Sequence, residues 1–87
     1  MLCRYERTIF KSDKGFCIFA YNTSDESVPK EARSRSYYHD DKIHFTATGY
    51  HLVAADTVDV ELDGTWEHSK HGLQLSVTMC KEVMPRD

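Results

Sequence analysis

Long apolar runs are missing from this sequence. No stretch approaches the ~18 residues that a membrane-spanning helix needs, and the start, Met1-Leu2-Cys3-Arg4-Tyr5-Glu6, has no apolar segment of signal-peptide length. The expectation is a cytoplasmic protein without membrane contact. Glycine and proline are scarce, at 4 and 2 residues, which excludes collagen-like and low-complexity chains. The three cysteines, Cys3, Cys17 and Cys80, are odd in number and form no CxxC pair. Neither a disulfide framework nor a zinc ribbon is signalled, and all three read as small buried hydrophobes in a reducing compartment. Positive charge is absent from Ile43 through Ser69, where Asp56, Asp59, Glu61, Asp63 and Glu67 accumulate, and the chain carries a formal net charge of -3. That balance excludes gripping nucleic acid by bulk electrostatics, so any DNA contact must be local.

Catalytic signatures are missing too. No GxxxxGK[ST] phosphate loop occurs, whose backbone N–H groups would cradle a nucleotide, and there is no GxSxG elbow or HExxH pair. The carboxylates of residues 57–67 alternate regularly, as any solvated strand face does, and carry no catalytic assignment. Five histidines are present, with His68 and His71 flanking a turn, but a third metal ligand beside them is lacking, so no metal site is assigned.

The 87 residues that remain have room for one core, hence a single domain over 1–87. Val58, Val60, Leu62, Gly64 and Trp66 alternate with polar residues, as do Leu73, Leu75, Val77 and Met79, and Ser69-Lys70-His71-Gly72 joins the two runs as a turn with Gly at a positive φ. A third run covers Ile43 to Tyr50. A fourth, Phe16 to Tyr21, is apolar at every position, which leaves its inward parity unreadable. The first strand lies within Cys3 to Lys11, with Ser12-Asp13-Lys14-Gly15 as a compact turn. Residues 22–41 read as a long, polar, mobile loop with one helical turn near Lys30 to Arg35. Five short strands predict an all-β, OB-fold-like small barrel. The expected core is Ile9, Phe16, Ile18, Phe45, Val58, Val60, Leu62, Trp66, Leu75 and Val77.

Barrels of this kind bind single strands by aromatic stacking within a basic groove across the second and third strands and the flanking loops. Tyr50 stands on the polar parity of its strand, and Lys11, Lys14, Lys70 and His71 lie on the loops beside that groove. These five are the candidate nucleic-acid-binding residues, with Phe19 or Tyr21 as a further aromatic, whichever faces outward. Tyr37 and Tyr38, with Arg33 and Arg35, form a second candidate on the long loop. The alternative is a protein-interaction module that binds through the acidic strand or the loop and never contacts DNA.

Several segments, in order, carry a resemblance: Glu6-Arg7-Thr8-Ile9-Phe10, Asp13-Lys14-Gly15-Phe16, Ala47-Thr48-Gly49-Tyr50, Gly64-Thr65-Trp66, His71-Gly72-Leu73-Gln74-Leu75 and Val83-Met84-Pro85. The chain resembles the N-terminal OB-fold domain of RecD-like (RecD/TraA family) bacterial ATP-dependent DNA helicases. It departs from them in a longer 22–41 connector, in Cys3 where Gly is typical, and in lacking the Pro and Gly-Glu expected at 51–56. The resemblance implies a non-catalytic accessory domain, an N-terminal fragment of a larger helicase that guides single-stranded DNA or braces the motor. It also implies motor domains as partners, with ATP and Mg bound there; this domain itself would need no cofactor.

Overall fold

The computed structural model describes residues 1–34, 42–55, 57–70 and 72–83. Five strands, β1 (Leu2–Lys11), β2 (Phe16–Thr23), β3 (Ile43–Tyr50), β4 (Asp59–Ser69) and β5 (Gly72–Val83), form a closed barrel in the order β1-β2-β3-β5-β4. All neighbours are antiparallel except β3 and β5, whose parallel register sets Ala47 opposite Leu75 and Thr48 opposite Ser76. The expected all-β, five-stranded barrel is the observed fold. The barrel closes through two short ladders, Leu2 and Cys3 of β1 on Glu61 and Val60 of β4, and Ala47 and Thr48 of β3 on Leu75 and Ser76 of β5.

The parity that the apolar run of β2 concealed is settled by pairing. Cys17, Phe19, Tyr21 and Thr23 point inward and are buried, as are Phe45 and Ala47 across the ladder on β3. Tyr21 stands at the middle of this core. Its ring stacks near Phe45 with centroids 6.2 Å apart, and its hydroxyl donates to the Val53 carbonyl at 2.8 Å. That hydrogen bond meets the requirement that a buried phenol find a partner. Trp66 packs edge-on against Phe45 at 5.6 Å and is half-buried at the margin of the core.

Of the expected core, Phe45, Val60, Leu62 and Leu75 are buried, and Val77 packs against them in part. Ile9 is not core: two register shifts in β1, between Tyr5 and Arg7 and between Thr8 and Phe10, displace it, and it is 46% exposed. Phe16 and Ile18 are half-buried on the outward side of β2, and Val58 is half-buried before β4 begins. A bulge in β5 explains a further departure from simple alternation. Asp63 faces Met79 while Gly64 faces Val77, so Thr78 is the extra residue, and its hydroxyl donates to the Asp63 carbonyl. Beyond it the parity flips: Cys80, opposite the buried Leu62, turns in and Met79 turns out.

The described part of the connector from β2 to β3 is anchored to the core and carries a helical turn within the expected stretch. Val28 and Ala32 are 1% and 4% exposed and belong to the core, and Lys30–Ala32 forms a single 3-10 turn. Arg33 is spent on holding this segment, donating to the carbonyls of Val28 and Glu26, and the Ser34 amide donates to the His44 carbonyl at 2.6 Å. A polar stretch thus contributes two apolar side chains to the core. The other candidate residues of the connector, Arg35, Tyr37 and Tyr38, lie outside the described residues.

Candidate nucleic-acid interface

Side chains paired across a sheet share a face, so the ladders of β1, β2, β3 and β5 define rows on the outside of the barrel. Phe16 pairs with Tyr50; Phe10 with Ile18, and Ile18 with Thr48; Arg7 with Ala20, and Ala20 with Thr46. Thr48 continues to Ser76, so that Gln74 of β5 comes level with Thr46. The resulting surface is a strip of aromatic, aliphatic and hydroxyl groups. Phe10 and Tyr50 are 50% and 64% exposed, and Tyr50 meets Phe16 edge-on with centroids 5.3 Å apart. Such a surface offers π-faces to unstacked bases.

The local chain positions these groups through a tight turn. Gly15 (φ +90°) lets residues 12–15 close, with the Ser12 hydroxyl accepting from the Phe16 amide at 3.1 Å. His51, itself at φ +57°, donates its amide to the Gly15 carbonyl at 3.0 Å. This bond ties the end of β3 to the first turn, so Tyr50, Phe16 and Lys14 are held at one corner of the strip. Lys14 is exposed there. Lys11 is exposed as well, but it pairs with Cys17 and so lies on the inward parity, at the barrel rim.

Lys70 lies at the far corner, in the β4–β5 turn that the Ser69 hydroxyl closes by donating to the Gly72 carbonyl. Lys70 precedes Ser76 by six residues and Tyr50 follows Thr48 by two, and these ladder partners lie level. The two candidates are therefore separated by roughly eight residues of strand, on the order of 26 Å. His71 is outside the described residues. The predicted set is thus two loop groups flanking one strip rather than a cluster.

Phe19 and Tyr21, the further aromatics considered from sequence, both point inward; the outward aromatics are Phe16 and, from β1, Phe10. Arg7, Phe10, Phe16 and Ile18 escape sequence reasoning because the uniform apolarity of β2 hides its parity and the two shifts in β1 cannot be seen before pairing; Thr46, Thr48 and Gln74 stand on the polar parity of their strands, and only the cross-strand rows bring them into the strip. Lys14, Gly15 and Tyr50 are the residues by which the sequence marks this corner.

Charge is segregated around the barrel. Among the described residues no ion pair engages Arg7, Lys11 or Lys14, whereas Glu6 on the same side accepts from Asn22 at 3.0 Å and pairs with the buried His44. The acids of β4 (Asp59, Glu61 and Asp63) lie on the strand that joins β1 to β5, away from the β2–β3 strip. Asp59 is bound by Arg4 at 3.1 Å and Glu61 faces Lys81 across the hairpin.

A family model described as the OB-fold domain of the ATP-dependent DNA helicase YrrC matches residues 1–85. No curated protein and no solved structure matches the chain. Matched over nearly all of its length and folded as a closed five-stranded barrel, the chain belongs to the family of OB-fold domains of the ATP-dependent DNA helicase YrrC.

Proposed function

We propose that this domain is a non-catalytic accessory module of a cytoplasmic, bacterial, RecD/TraA-type ATP-dependent DNA helicase, guiding single-stranded DNA across its outward β1–β2–β3 strip. ATP and Mg would be bound by the motor domains of the parent protein, and these are the domain's partners. The observation that supports this reading is the strip itself: Phe10, Phe16 and Tyr50 exposed or half-buried in register, with Arg7 and Lys14 beside them in no ion pair among the described residues and the β4 acids on another side. Stacking is tolerant of sequence, as a guide for a moving strand must be. Fluorescence anisotropy of the domain with a labelled single-stranded oligonucleotide tests the reading: binding that weakens in Tyr50→Ala and Lys14→Ala supports it, and no detectable binding at low salt rejects it.

The exposed apolar side chains of Ile9 and Phe10 favour a second reading, a module that docks protein and does not contact DNA. The same titration separates the two, because such a module would leave the oligonucleotide free.

A further inference from the structure

Next to the strip lies a groove of about 510 Å³ lined by Ile9, Phe10 and Ile18 on one side and by Glu31 to Ser34 of the connector on the other, with Thr46, Leu73 and Gln74 at its floor. Resting on the single-strand reading above, we infer that this groove receives an unstacked base of the bound strand, so that the domain recognises the bases and not the phosphates alone.

Its size and lining fit such an occupant. Sites for small organic groups commonly span about 300–1,000 Å³ and combine apolar walls with a few polar groups. Here Phe10 and Ile9 supply exposed apolar surface at the mouth, and Gln74, Thr46 and Ser34 supply donors and acceptors for the edge of a base. The charges in the groove argue against a phosphate. Glu31 is an acid, and the guanidinium of Arg33 already donates to two backbone carbonyls, Val28 and Glu26. The cations suited to phosphates stand outside it, with Arg7 in the row of Ala20 and Thr46 and Lys14 at the turn. A strand lying along the strip with its backbone toward Arg7 and Lys14 would therefore direct its bases inward. The wall that completes the groove comes from the long β2–β3 connector, held in place by the buried Val28 and Ala32. A duplex, whose bases are stacked and paired, has no base to offer.

The test compares two labelled 12-nucleotide strands of equal charge, one with thymine at every position and one abasic, in anisotropy titrations of the 87-residue domain at low salt. We expect the base-bearing strand to bind about tenfold more tightly. Phe10→Ala and Ile9→Ala, both at exposed positions, should reduce that ratio towards one while leaving the abasic strand unchanged. Lys14→Ala should weaken both strands alike. Equal binding of the two strands would overturn the inference and the stacking reading of the strip with it, whereas a preference for bases that Tyr50→Ala lowers but Phe10→Ala and Ile9→Ala leave unmoved would overturn the groove alone and leave strand guidance standing. Failure of both strands to bind would reject the underlying reading as well, and would leave the groove to a protein segment.

Discussion

Gly64 of β4 and Ser76 of β5 approach so closely that a Cβ on Gly64 would fall against the Ser76 carbonyl and within 2.9 Å of the Val77 Cα. The approach sits where the register shifts and the hairpin bends into the barrel. Every atom in the way is backbone, so no rotamer change relieves it. Gly64→Ala is therefore expected to destabilise by about 2–3 kcal/mol, lowering the thermal midpoint by roughly 10–20 °C. A melt followed by circular dichroism checks this, and an unchanged midpoint would show that the two strands separate without cost.

The central aromatics should contribute unequally. Phe45 is wholly buried between Tyr21 and Trp66, whereas Trp66 is half-buried. Phe45→Ala is expected to cost about 3–5 kcal/mol and Trp66→Ala less, about 2–3 kcal/mol, because part of the indole surface is already in water. Urea unfolding of the two variants reads the order directly. A larger loss in Trp66→Ala would contradict it.

Alkaline pH should loosen the barrel. Burial pushes the Cys3 thiol up to about 12 from an ordinary 9.0 and raises the Tyr21 phenol as well, again by burial. Both groups are neutral when protonated, and the raised values mean that the folded state holds these protons more firmly than the unfolded chain. The stabilisation is complete below pH 9 and is lost progressively as pH rises from there towards 12. Stability measured by urea titration should fall through that window, and the fall should be shallower in Cys3→Ala. Parallel slopes in the two proteins would refute the assignment. The same burial makes Cys3 resistant to alkylation in the folded protein at pH 8, since the thiolate is the reacting species.

Binding of single-stranded DNA by the domain should be weak at physiological salt. Arg7, Lys14 and the distant Lys70 offer two or three phosphate contacts, against a chain of net charge -3. Stacking adds ~1–3 kcal/mol per base, which leaves affinity near the non-specific range of roughly 10⁻⁴–10⁻⁶ M. Submicromolar binding in an anisotropy titration at physiological salt would show that more cations face the strand than the strip provides.

Much of this architecture was legible in one dimension. Strict alternation in residues 57–67 and 73–79 marks β4 and β5, and Gly15 and Gly72 mark turns that adopt the positive φ the sequence required. A period of two is a local consequence of the pleat, so it survives without knowledge of the partner strand. Tyr50 was readable as an outward residue for the same reason. Which side of β2 faces in was not readable, because apolar residues fill both faces: Phe19 and Tyr21 enter the core only because β3 pairs with β2 in a register that aligns them with Ala47 and Phe45. Phe10 reaches the outward strip, and Ile9 leaves the core, through bulges that exist only once β1 is paired. The burial of Val28 and Ala32 within a polar connector was hidden likewise, since two apolar residues without periodicity acquire meaning only from the core they pack against. Local pattern alone determined the strands, their turns and the acidic β4; long-range pairing decided which aromatics form the core and which stand outside it, because a one-residue shift in register exchanges the two faces of a strand.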